Sequence, residues 1–397
     1  MPELRFPGFE GEWEEKKLGN LTDRVIRKNK NLESKKPLTI SGQLGLIDQT
    51  EYFSKSVSSK NLENYTLIKN GEFAYNKSYS NGYPLGAIKR LTRYDSGVLS
   101  SLYICFSIKS EMSKDFMEAY FDSTHWYREV SGIAVEGARN HGLLNVSVND
   151  FFTILIKYPS LEEQQKIGKF FSKLDRQIEL EEQKLELLQQ QKKCYIQKIF
   201  SQELRFKDEE GNYYKGWNKK QLKDVLEFSN KRTINENEYP VLTSSRQGLI
   251  LQSDYYKDRK TFAESNIGYF ILPKNHITYR SRSDDGIFKF NLNLMIDVGI
   301  ISKYYPVFKG IDANQYYLTL HLNYQLKKEY IKYATGTSQL VLSQKDLQNI
   351  KTKLPSYEEQ QKIGDFFSEI DRLVEKQSSK VGRLKVRKKE LLQKMFV

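Results

Sequence analysis

Cysteine and histidine are scarce in this sequence of 397 residues, which contains only two cysteines and four histidines. Cys105 and Cys194 are too few for a disulfide framework and too far apart for a zinc site. Cys105 lies in an apolar, strand-like run, so we predict a core residue and not a nucleophile. The histidines lie apart and outside any HExxH or GxSxG pattern, at His125, His141, His276 and His321. The composition therefore predicts neither a metal site nor a nucleophilic triad.

Motifs for two further kinds of chemistry are absent. The sequence has no Pro-Pro dipeptide, which an adenine methyltransferase needs in its Asn/Asp-Pro-Pro-aromatic motif, and no P-loop of the form GxxxxGK[ST]. Acidic-x-Lys triplets such as Glu14-Glu15-Lys16 occur, but they carry little weight as nuclease motifs in a chain with 28% charged residues. We predict that the chain is not an enzyme.

Long apolar runs are also missing. No stretch of 18 apolar residues occurs, and the first residues, MPELRFPGFE, do not form the apolar core of a signal peptide. We therefore expect a soluble, cytoplasmic protein. The net charge is +13 and the excess is spread along the chain, which favours a folded surface that binds a polyanion, most often nucleic acid.

One segment is written twice. Residues 159–200 return without a gap as residues 355–396, with 22 of 42 positions identical. Each copy opens with Pro and Ser followed by Glu three residues after the Ser, which predicts a capping box at the start of a long helix. In the capping boxes at Ser160 and Ser356, we expect the carboxylates of Glu163 and Glu359 to accept hydrogen bonds from the backbone amides of the cap serines.

Apolar residues follow alternating four- and three-residue steps along both copies, which is the pattern of a coiled-coil seam. Lys192 and Lys388 break the seam at matching places. Either each helix packs on its own globular domain, or the two helices pair; we favour an antiparallel pair because so long a seam needs an equally long partner. The predicted pairing residues are Ile167, Phe171, Leu174, Ile178, Leu185, Leu188, Ile363, Phe367, Ile370, Val374, Val381 and Leu384.

The repeat extends into the globular parts. The stretch ELRF occurs at 3–6 and 203–206, and GLIDQTEYF at 45–53 matches GLILQSDYY at 248–256. Short Ile-, Val-, Tyr- and Phe-rich runs bounded by Gly and Asn predict strands, with helical patches between them. We predict a mixed α/β (α+β) fold with pseudo-two-fold symmetry. Its parts are two similar domains at 1–158 and 203–354, followed by long helices at 159–202 and 355–397.

The candidate binding residues lie where the two halves diverge between matched positions. YNKSYSNG at 75–82 faces YRSRSDDG at 279–286, and its polar types are those that read base edges, although a solvated hairpin would use many of the same residues. A second divergent place follows Gly137 and Gly336. The predicted DNA contacts are Asn76, Lys77, Ser78, Tyr79, Asn81, Arg139, Asn140, Tyr279, Arg280, Arg282, Asp285 and Ser338. Basic residues that suit phosphates are Arg24, Arg27, Lys28, Lys30, Lys231 and Arg232.

The tandem layout, with each half closed by a helix that opens P-x-x-EEQQKIG-x-FF-x-x-x-D, resembles the specificity subunit of type I restriction–modification enzymes. The resemblance covers essentially the whole chain. The matched positions are Pro159/Pro355, Glu163/Glu359, Gln164/Gln360, Ile167/Ile363 and Asp175/Asp371, supported by Trp13/Trp217.

This resemblance implies that each globular domain is a target-recognition domain for one part of a bipartite, asymmetric site in double-stranded DNA. The helices would set the spacer between the parts and dock two modification subunits. Those subunits would carry S-adenosylmethionine for adenine N6 methylation, and restriction subunits would bring ATP and magnesium, while this chain would hold no cofactor. Two alternatives stay open at this point: a structural adaptor that binds peptides, and a self-contained nuclease or methyltransferase.

Overall fold

The computed structural model describes residues 1–42, 44–53, 61–78, 82–134, 144, 146–256 and 265–397. They form two compact units. Unit 1 comprises Met1–Gln183 with Ser378–Val397, and unit 2 comprises Lys184–Gln377. Both boundaries between the units fall inside long helices, so each unit holds one globular domain together with parts of two helices.

The domain of unit 1 alternates short strands with short helices. Its strands are β1 (Glu14–Lys17), β2 (Thr22–Arg24), β3 (Leu38–Ser41), β4 (Gly45–Asp48), β5 (Thr66–Lys69), β6 (Phe73–Asn76), β7 (Ala87–Arg90), β8 (Ser96–Leu99), β9 (Tyr103–Ile108) and β10 (Leu155–Tyr158). Its helices are α1 (Leu18–Leu21), α2 (Gln49–Phe53), α3 (Lys114–Asp122), α4 (Tyr127–Ile133) and α5 (Val148–Phe151). The first long helix, α6 (Leu161–Phe200), follows directly.

The domain of unit 2 has nearly the same order. Its strands are β11 (Asn218–Gln221), β12 (Leu226–Ser229), β13 (Val241–Ser245), β14 (Gly248–Leu251), β15 (Phe270–Pro273), β16 (Ile277–Tyr279), β17 (Arg282–Ser283), β18 (Phe290–Leu292), β19 (Val298–Ile301), β20 (Val307–Gly310), β21 (Leu340–Val341) and β22 (Lys351–Leu354). Its helices are α7 (Gln252–Tyr256), α8 (Gln315–Tyr324), α9 (Tyr330–Tyr333) and α10 (Gln344–Asn349), before the second long helix, α11 (Tyr357–Met395).

The two domains share one sheet topology. The central sheet has the order β2-β9-β6-β7 in unit 1 and β12-β20-β16-β18 in unit 2. A second sheet in unit 2, β14-β13-β19-β15, corresponds to the pairs β3-β4 and β5-β8, and the parallel β13-β19 pairing corresponds to the parallel bridge between Pro37 and Val98. An antiparallel ribbon, β1-β10 or β11-β22, leads into each long helix. The predicted mixed α/β fold with two similar domains is therefore confirmed.

The core of each domain is completed by both long helices. In unit 1, Ile167 and Phe171 from α6 and Phe396 after α11 pack into the cluster around Phe106 and Phe116. In unit 2, the equivalent cluster includes Ile363 and Phe367 from α11 and, from the end of α6, Ile199 and Phe200. Four of the predicted pairing residues, Ile167, Phe171, Ile363 and Phe367, are thus core residues of a domain, so both packing modes considered from the sequence occur.

The remaining parts of the long helices pair in antiparallel fashion within each unit. In unit 1, Lys388 binds Asp175 at 2.6 Å and Lys380 binds Glu181 at 2.5 Å. The higher residue number on α6 thus pairs with the lower residue number on α11, which is the order of antiparallel helices. In unit 2, Lys192 binds Asp371, and the rings of Tyr195 and Phe366 lie 5.2 Å apart. The antiparallel pairing predicted from the seam is confirmed.

Candidate nucleic-acid interface

An open cleft of about 710 Å³ lies in the domain of unit 2, between the β13–β14 hairpin and the segment after β16. Its wall carries four cationic side chains, polar hairpin residues and two tyrosines. The lining residues are Thr243, Ser244, Ser245, Arg246, Gln247, Tyr255, Arg280, Arg282, Ser283, Asp284, Ile287, Lys289 and Tyr305.

The β13–β14 hairpin is fixed to the central sheet at its tip. The Asn291 side-chain amide, from β18, donates to the Ser244 hydroxyl and to the Ser245 carbonyl, both at 2.8 Å. Within the turn, the Ser245 hydroxyl donates to the Gly248 carbonyl at 2.9 Å and accepts from the Gln247 amide at 3.1 Å. Gly248 has a φ of 134°, a backbone region that favours glycine. These bonds position Arg246 at the rim of the cleft.

Asp285 links the segment after β16 to that hairpin. Its carboxylate accepts from the Ser283 hydroxyl at 2.9 Å and from the Ile287 amide at 3.2 Å. The Arg246 guanidinium donates to both of its oxygens at 2.7 Å. The hydrogen bonds from Ser283 and Ile287 and the charge of Arg246 hold the pKa of Asp285 below its usual value, so it is a carboxylate at neutral pH.

The cleft is electropositive. Arg246, Arg280, Arg282 and Lys289 line it against one acidic lining residue, Asp284. The pKa of the Lys289 ammonium is lowered, mainly by burial and to a smaller extent by the nearby charge of Lys192. The Arg282 guanidinium lies over the Tyr304 ring, 5.1 Å from its centroid. Guanidinium groups, amides and hydroxyls in an open cationic cleft are the groups that bind phosphates and base edges.

The predicted residues of unit 2 are placed unevenly around this cleft. Arg280 and Arg282 line it, and Asp285 binds Arg246 at its rim. Ser338 is exposed in the turn before β21. Tyr279 does not reach the surface, contrary to the prediction, because its hydroxyl donates to the Leu342 carbonyl at 2.9 Å and its ring stacks on Phe290 in the core.

In unit 1 the corresponding segment is partly outside the described residues, which leaves out Tyr79, Asn81, Arg139 and Asn140. The Asn76 side chain accepts from the Ser78 amide at 3.0 Å, so both residues form a local turn at the end of β6. The Lys77 ammonium donates to the Val146 carbonyl at 3.2 Å.

The predicted phosphate-binding residues fall into two groups. Arg24, Lys30 and Lys231 are exposed. The others already bind protein groups: Arg27 donates to both oxygens of Glu72 at 2.8 and 2.9 Å, Lys28 donates to the Asn64 carbonyl at 2.8 Å, and Arg232 donates to the Gly268 carbonyl at 2.9 Å. The Arg27 pair is a structural contact, because Glu72 also accepts from the Lys69 amide at 2.7 Å.

Of the residues that line the cleft, the sequence predicted only Arg280 and Arg282; among those it missed are Arg246, Gln247 and Lys289. A signal for Arg246 and Gln247 was present. Residues 244–247, SSRQ, stand where the first half has SGQL, between a matched proline and the matched glycine of the GLI stretch. This hairpin tip differs between the two halves while the residues on either side match, which is the criterion that selected residues 279–286. Lys289 carries no such signal, since only the fold brings it to the cleft.

The starts of the long helices explain the repeated motif. Glu163 and Glu359 are buried, and each binds an arginine from an ELRF stretch: Arg5 at 2.7 Å and Arg205 at 2.8 Å. The predicted capping boxes are therefore half right. The hydroxyls of the cap serines accept the Glu amides at 3.4 Å, but the carboxylates are taken by the arginines and do not return to the cap amides.

The first glutamine of the repeated motif joins each helix start to the domain. The Gln164 amide donates to the Pro159 carbonyl at 2.9 Å and its oxygen accepts from the backbone amide of Ser113, the cap of α3, at 3.0 Å. Gln360 makes the same two bonds, to Pro355 and to the backbone amide of the α8 cap residue Asn314. The motif is thus a joint between helix and domain, present in both units.

Three further properties of the described residues complete the site description. The described part of the chain contains no group of three or more His, Cys, Asp or Glu side chains placed to hold a metal ion. Cys105 is buried in β9, and burial raises the pKa of its thiol to about 12. Among the residues that the structure describes, no helix is both long and apolar enough to cross a membrane.

The sequence matches a family described as the type I restriction modification DNA specificity domain, twice, at residues 10–190 and 214–382. A similar protein is the type I restriction enzyme MjaVIII specificity subunit of Methanocaldococcus jannaschii, 24% identical over 320 residues, which are 74% of this chain and 69% of that protein.

Two solved structures have the same fold. The S subunit of a type I restriction-modification system from M. genitalium superposes with a TM-score of 0.60 at 16% identity, covering 100% of this chain and 99% of that one. A chain from a study of complex assembly and conformational transition in the type I R-M system gives 0.50 at 18% identity, covering 97% of both chains.

Proposed function

The chain belongs to the type I restriction-modification DNA specificity family and carries two of its DNA specificity domains, and we propose that each domain reads one part of a bipartite, asymmetric DNA target. The cationic cleft of unit 2 is the reading surface of the second domain. The observation that carries the proposal is that the joints repeat while the segments beside them diverge: Arg5–Glu163 and Arg205–Glu359 recur, whereas the sequences of residues 75–82 and 279–286 differ.

The long helices set the spacing between the two parts of the target. Helices of 40 and 39 residues are about 60 Å long at 1.5 Å per residue. The symmetric ion pairs Lys388–Asp175 and Lys192–Asp371 support a fixed register. Exposed faces of the same helices dock two modification subunits, which hold S-adenosylmethionine and methylate adenine. Restriction subunits, with ATP and magnesium, join this assembly, and the chain itself performs no catalysis.

Shortening both helices tests the spacer role. Deleting the seven-residue segments 180–186 and 377–383 keeps the phase of the seam and removes about 10 Å from each helix. At about 3.4 Å of duplex per base pair, the gap between the two read parts should shorten by about three base pairs. The measurement is a map of methylated adenines in cells that carry the complete system with this variant.

The bases within the two read parts should stay the same in that experiment. An unchanged gap, or new bases in the read parts, would contradict the spacer role. Inserting one heptad at the same two places is the matched variant, and it should lengthen the gap. Methyl transfer by the purified chain with DNA and S-adenosylmethionine alone would instead support a self-contained methyltransferase.

A further inference from the structure

Arg246 is held in one orientation while most of its hydrogen-bond donors face outward. A guanidinium has five N–H groups, and only the Nη2 atom of Arg246 is engaged, by both oxygens of Asp285 at 2.7 Å. The hydrogens on Nη1 and Nε have no partner among the described residues. The tip that carries Arg246 is itself fixed by Asn291, through Ser244 and Ser245. The donors are therefore pre-oriented at the rim of the cleft.

Asp285 keeps little acceptor capacity for a base. Its Oδ1 accepts from Ser283, Ile287 and Arg246, and its Oδ2 accepts from Arg246. Since a carboxylate has about four lone-pair sites, two on each oxygen, only one site on Oδ2 stays open. Its hydrogen bonds make it an orienting partner for Arg246.

We infer that Arg246 reads a guanine in the part of the target bound by the second domain, and that Asp285 is the positioning residue for it. This inference rests on the proposed function. A planar pair of donors matches guanine O6 and N7, and no other base presents two acceptors at that spacing in the major groove. Restricting the guanidinium beforehand lowers the entropy lost on binding.

Arg280 and Arg282 differ from Arg246 in the way they are held. Arg280 has no hydrogen-bond or ion-pair partner in the described part of the chain, and Arg282 rests on the face of Tyr304. Neither has a carboxylate that fixes its plane. Flexible cations of this kind suit phosphates, which accept donors from many directions. The cleft thus combines one oriented arginine for base reading with neighbouring arginines that suit the phosphates of the DNA.

The test compares DNA selection by the complete complex containing wild-type chain, Arg246→Ala, Arg246→Lys, Asp285→Asn or Lys332→Ala. The probe is a duplex library randomised across the bipartite target. Lys332–Glu329 at α9 is the matched control because its side chains, 65% and 37% exposed, resemble those of Arg246 and Asp285 at 63% and 45%. Thermal melting of each variant confirms folding.

Wild-type complex should select guanine at one position of one part. Arg246→Ala and Arg246→Lys should each lose about 10- to 100-fold of that preference, at that position only. Asp285→Asn should keep guanine as the selected base and weaken binding about threefold to tenfold. Lys332→Ala should select the wild-type sequence. Lysine keeps the charge and loses the planar pair of donors, so it separates base reading from phosphate binding.

Four results would overturn the inference. An unchanged base selection by Arg246→Ala would show that Arg246 does not contribute to recognition. If Arg246→Ala bound all sequences equally weakly and Arg246→Lys restored the binding, Arg246 would be a phosphate contact. Relaxation at a cytosine in Asp285→Asn would make Asp285 a reader. A wild-type part without guanine would exclude the pairing outright. If the wild-type complex selected no sequence at all, the proposed function would fail instead.

Discussion

The two units make the same contacts where a long helix meets its domain and different contacts at their equivalent hairpins, β3–β4 and β13–β14. Arg5–Glu163 and Arg205–Glu359 are equivalent, as are Gln164 and Gln360. At the hairpins, by contrast, unit 1 joins Tyr83 to the Gly42 carbonyl at 2.7 Å, and unit 2 joins Arg246 to Asp285. The two halves therefore have the same helix–domain joints and different hairpin contacts.

A second comparison concerns the surroundings of the two helix-pairing lysines. Lys388 binds Asp175 at 2.6 Å and also Asp122 at 2.7 Å, and Asp122 binds Lys89 at 2.6 Å. In unit 2 the residue at the place of Asp122 in α8 is Asn323, which bonds the backbone of Phe290. Among the described residues, Lys192 therefore has Asp371 as its single ionic partner, and Asp371 also accepts from the Tyr316 hydroxyl. The helix register is the same in both units, but in unit 1 the lysine lies among more charged side chains.

Removing the arginine of either joint should have the largest effect on stability. Arg5→Ala leaves the buried Glu163 without its guanidinium, and Arg205→Ala does the same to Glu359. Because an unpaired buried charge is costly, each variant should lose about 3–4 kcal/mol of unfolding free energy. Chemical denaturation measures the loss, and hydrogen exchange read by mass spectrometry assigns it to unit 1 or unit 2.

The control for the joints is Arg176→Ala, since Arg176 forms an exposed pair with Glu179 on α6. Its unfolding free energy should fall by less than about 0.5 kcal/mol. Equal losses for all three arginines would mean that the joints are ordinary surface pairs. A large difference between Arg5→Ala and Arg205→Ala would show that the two joints are not equivalent.

The helix-pairing lysines should separate the two units. Lys388→Met leaves Asp122 and Asp175 with one fewer cation in a largely buried cluster, and we expect a loss of about 2–3 kcal/mol. Lys192→Met leaves the half-exposed Asp371, which keeps the Tyr316 hydroxyl, and about 1 kcal/mol should be lost. Denaturation of both variants under identical conditions measures the difference. Equal losses would show that the charged surroundings in unit 1 add nothing.

The helices were predictable because their signal is long and repeated. Two copies of one seam, each interrupted by lysine at the same place, predict a paired helix, and the lysines prove to be ionic contacts to Asp175 and Asp371. What the pattern did not reveal is that Glu163 and Glu359 bind arginines about 150 residues earlier in the chain. A capping box and a long-range ion pair place the same residue type at the same position, so local spacing could not separate them.

The cleft was predictable only in part. Divergence between matched tyrosine and glycine located Arg280 and Arg282, but it also selected Tyr279, which is in the core. A tyrosine at the end of a strand reads the same whether its ring points inward or outward, and only the register of β16 decides this. Lys289 reaches the cleft through the sheet order, which no short pattern contains.

Acid should destabilise unit 1 through Asp122. Burial alone would raise the pKa of this carboxyl, but the ammonium groups of Lys89 and Lys388 outweigh burial and lower it to about 2. A lowered folded-state pKa gives stability that is present above about pH 4 and lost as the pH falls towards 2. Wild-type protein should therefore lose roughly 1 kcal/mol more than Asp122→Asn between pH 6 and pH 3.

Denaturation at the two pH values measures this difference for both proteins. Asp175 contributes with the opposite sign, since burial raises its pKa and the Asp122 charge adds to that rise. Asp122→Asn removes this addition, so Asp175 makes the difference between the two proteins smaller. Unit 2 has Asn323 at the equivalent place, so hydrogen exchange should locate the extra acid sensitivity in unit 1. Identical losses for wild type and Asp122→Asn would remove Asp122 from the account.

The hairpins should show the smallest effects, and these should differ between the units. Tyr83→Phe removes the hydroxyl that binds the Gly42 carbonyl, while the ring stays packed against Gly42, so about 1 kcal/mol should be lost. Arg246→Ala removes one side of an exposed ion pair, and the thermal midpoint should stay within experimental error. Calorimetry of both variants measures this. A clear drop for Arg246→Ala would make the pair part of the framework. An unchanged midpoint would show that the fold of the second domain does not depend on the Arg246–Asp285 pair, so Arg246 is free to serve recognition.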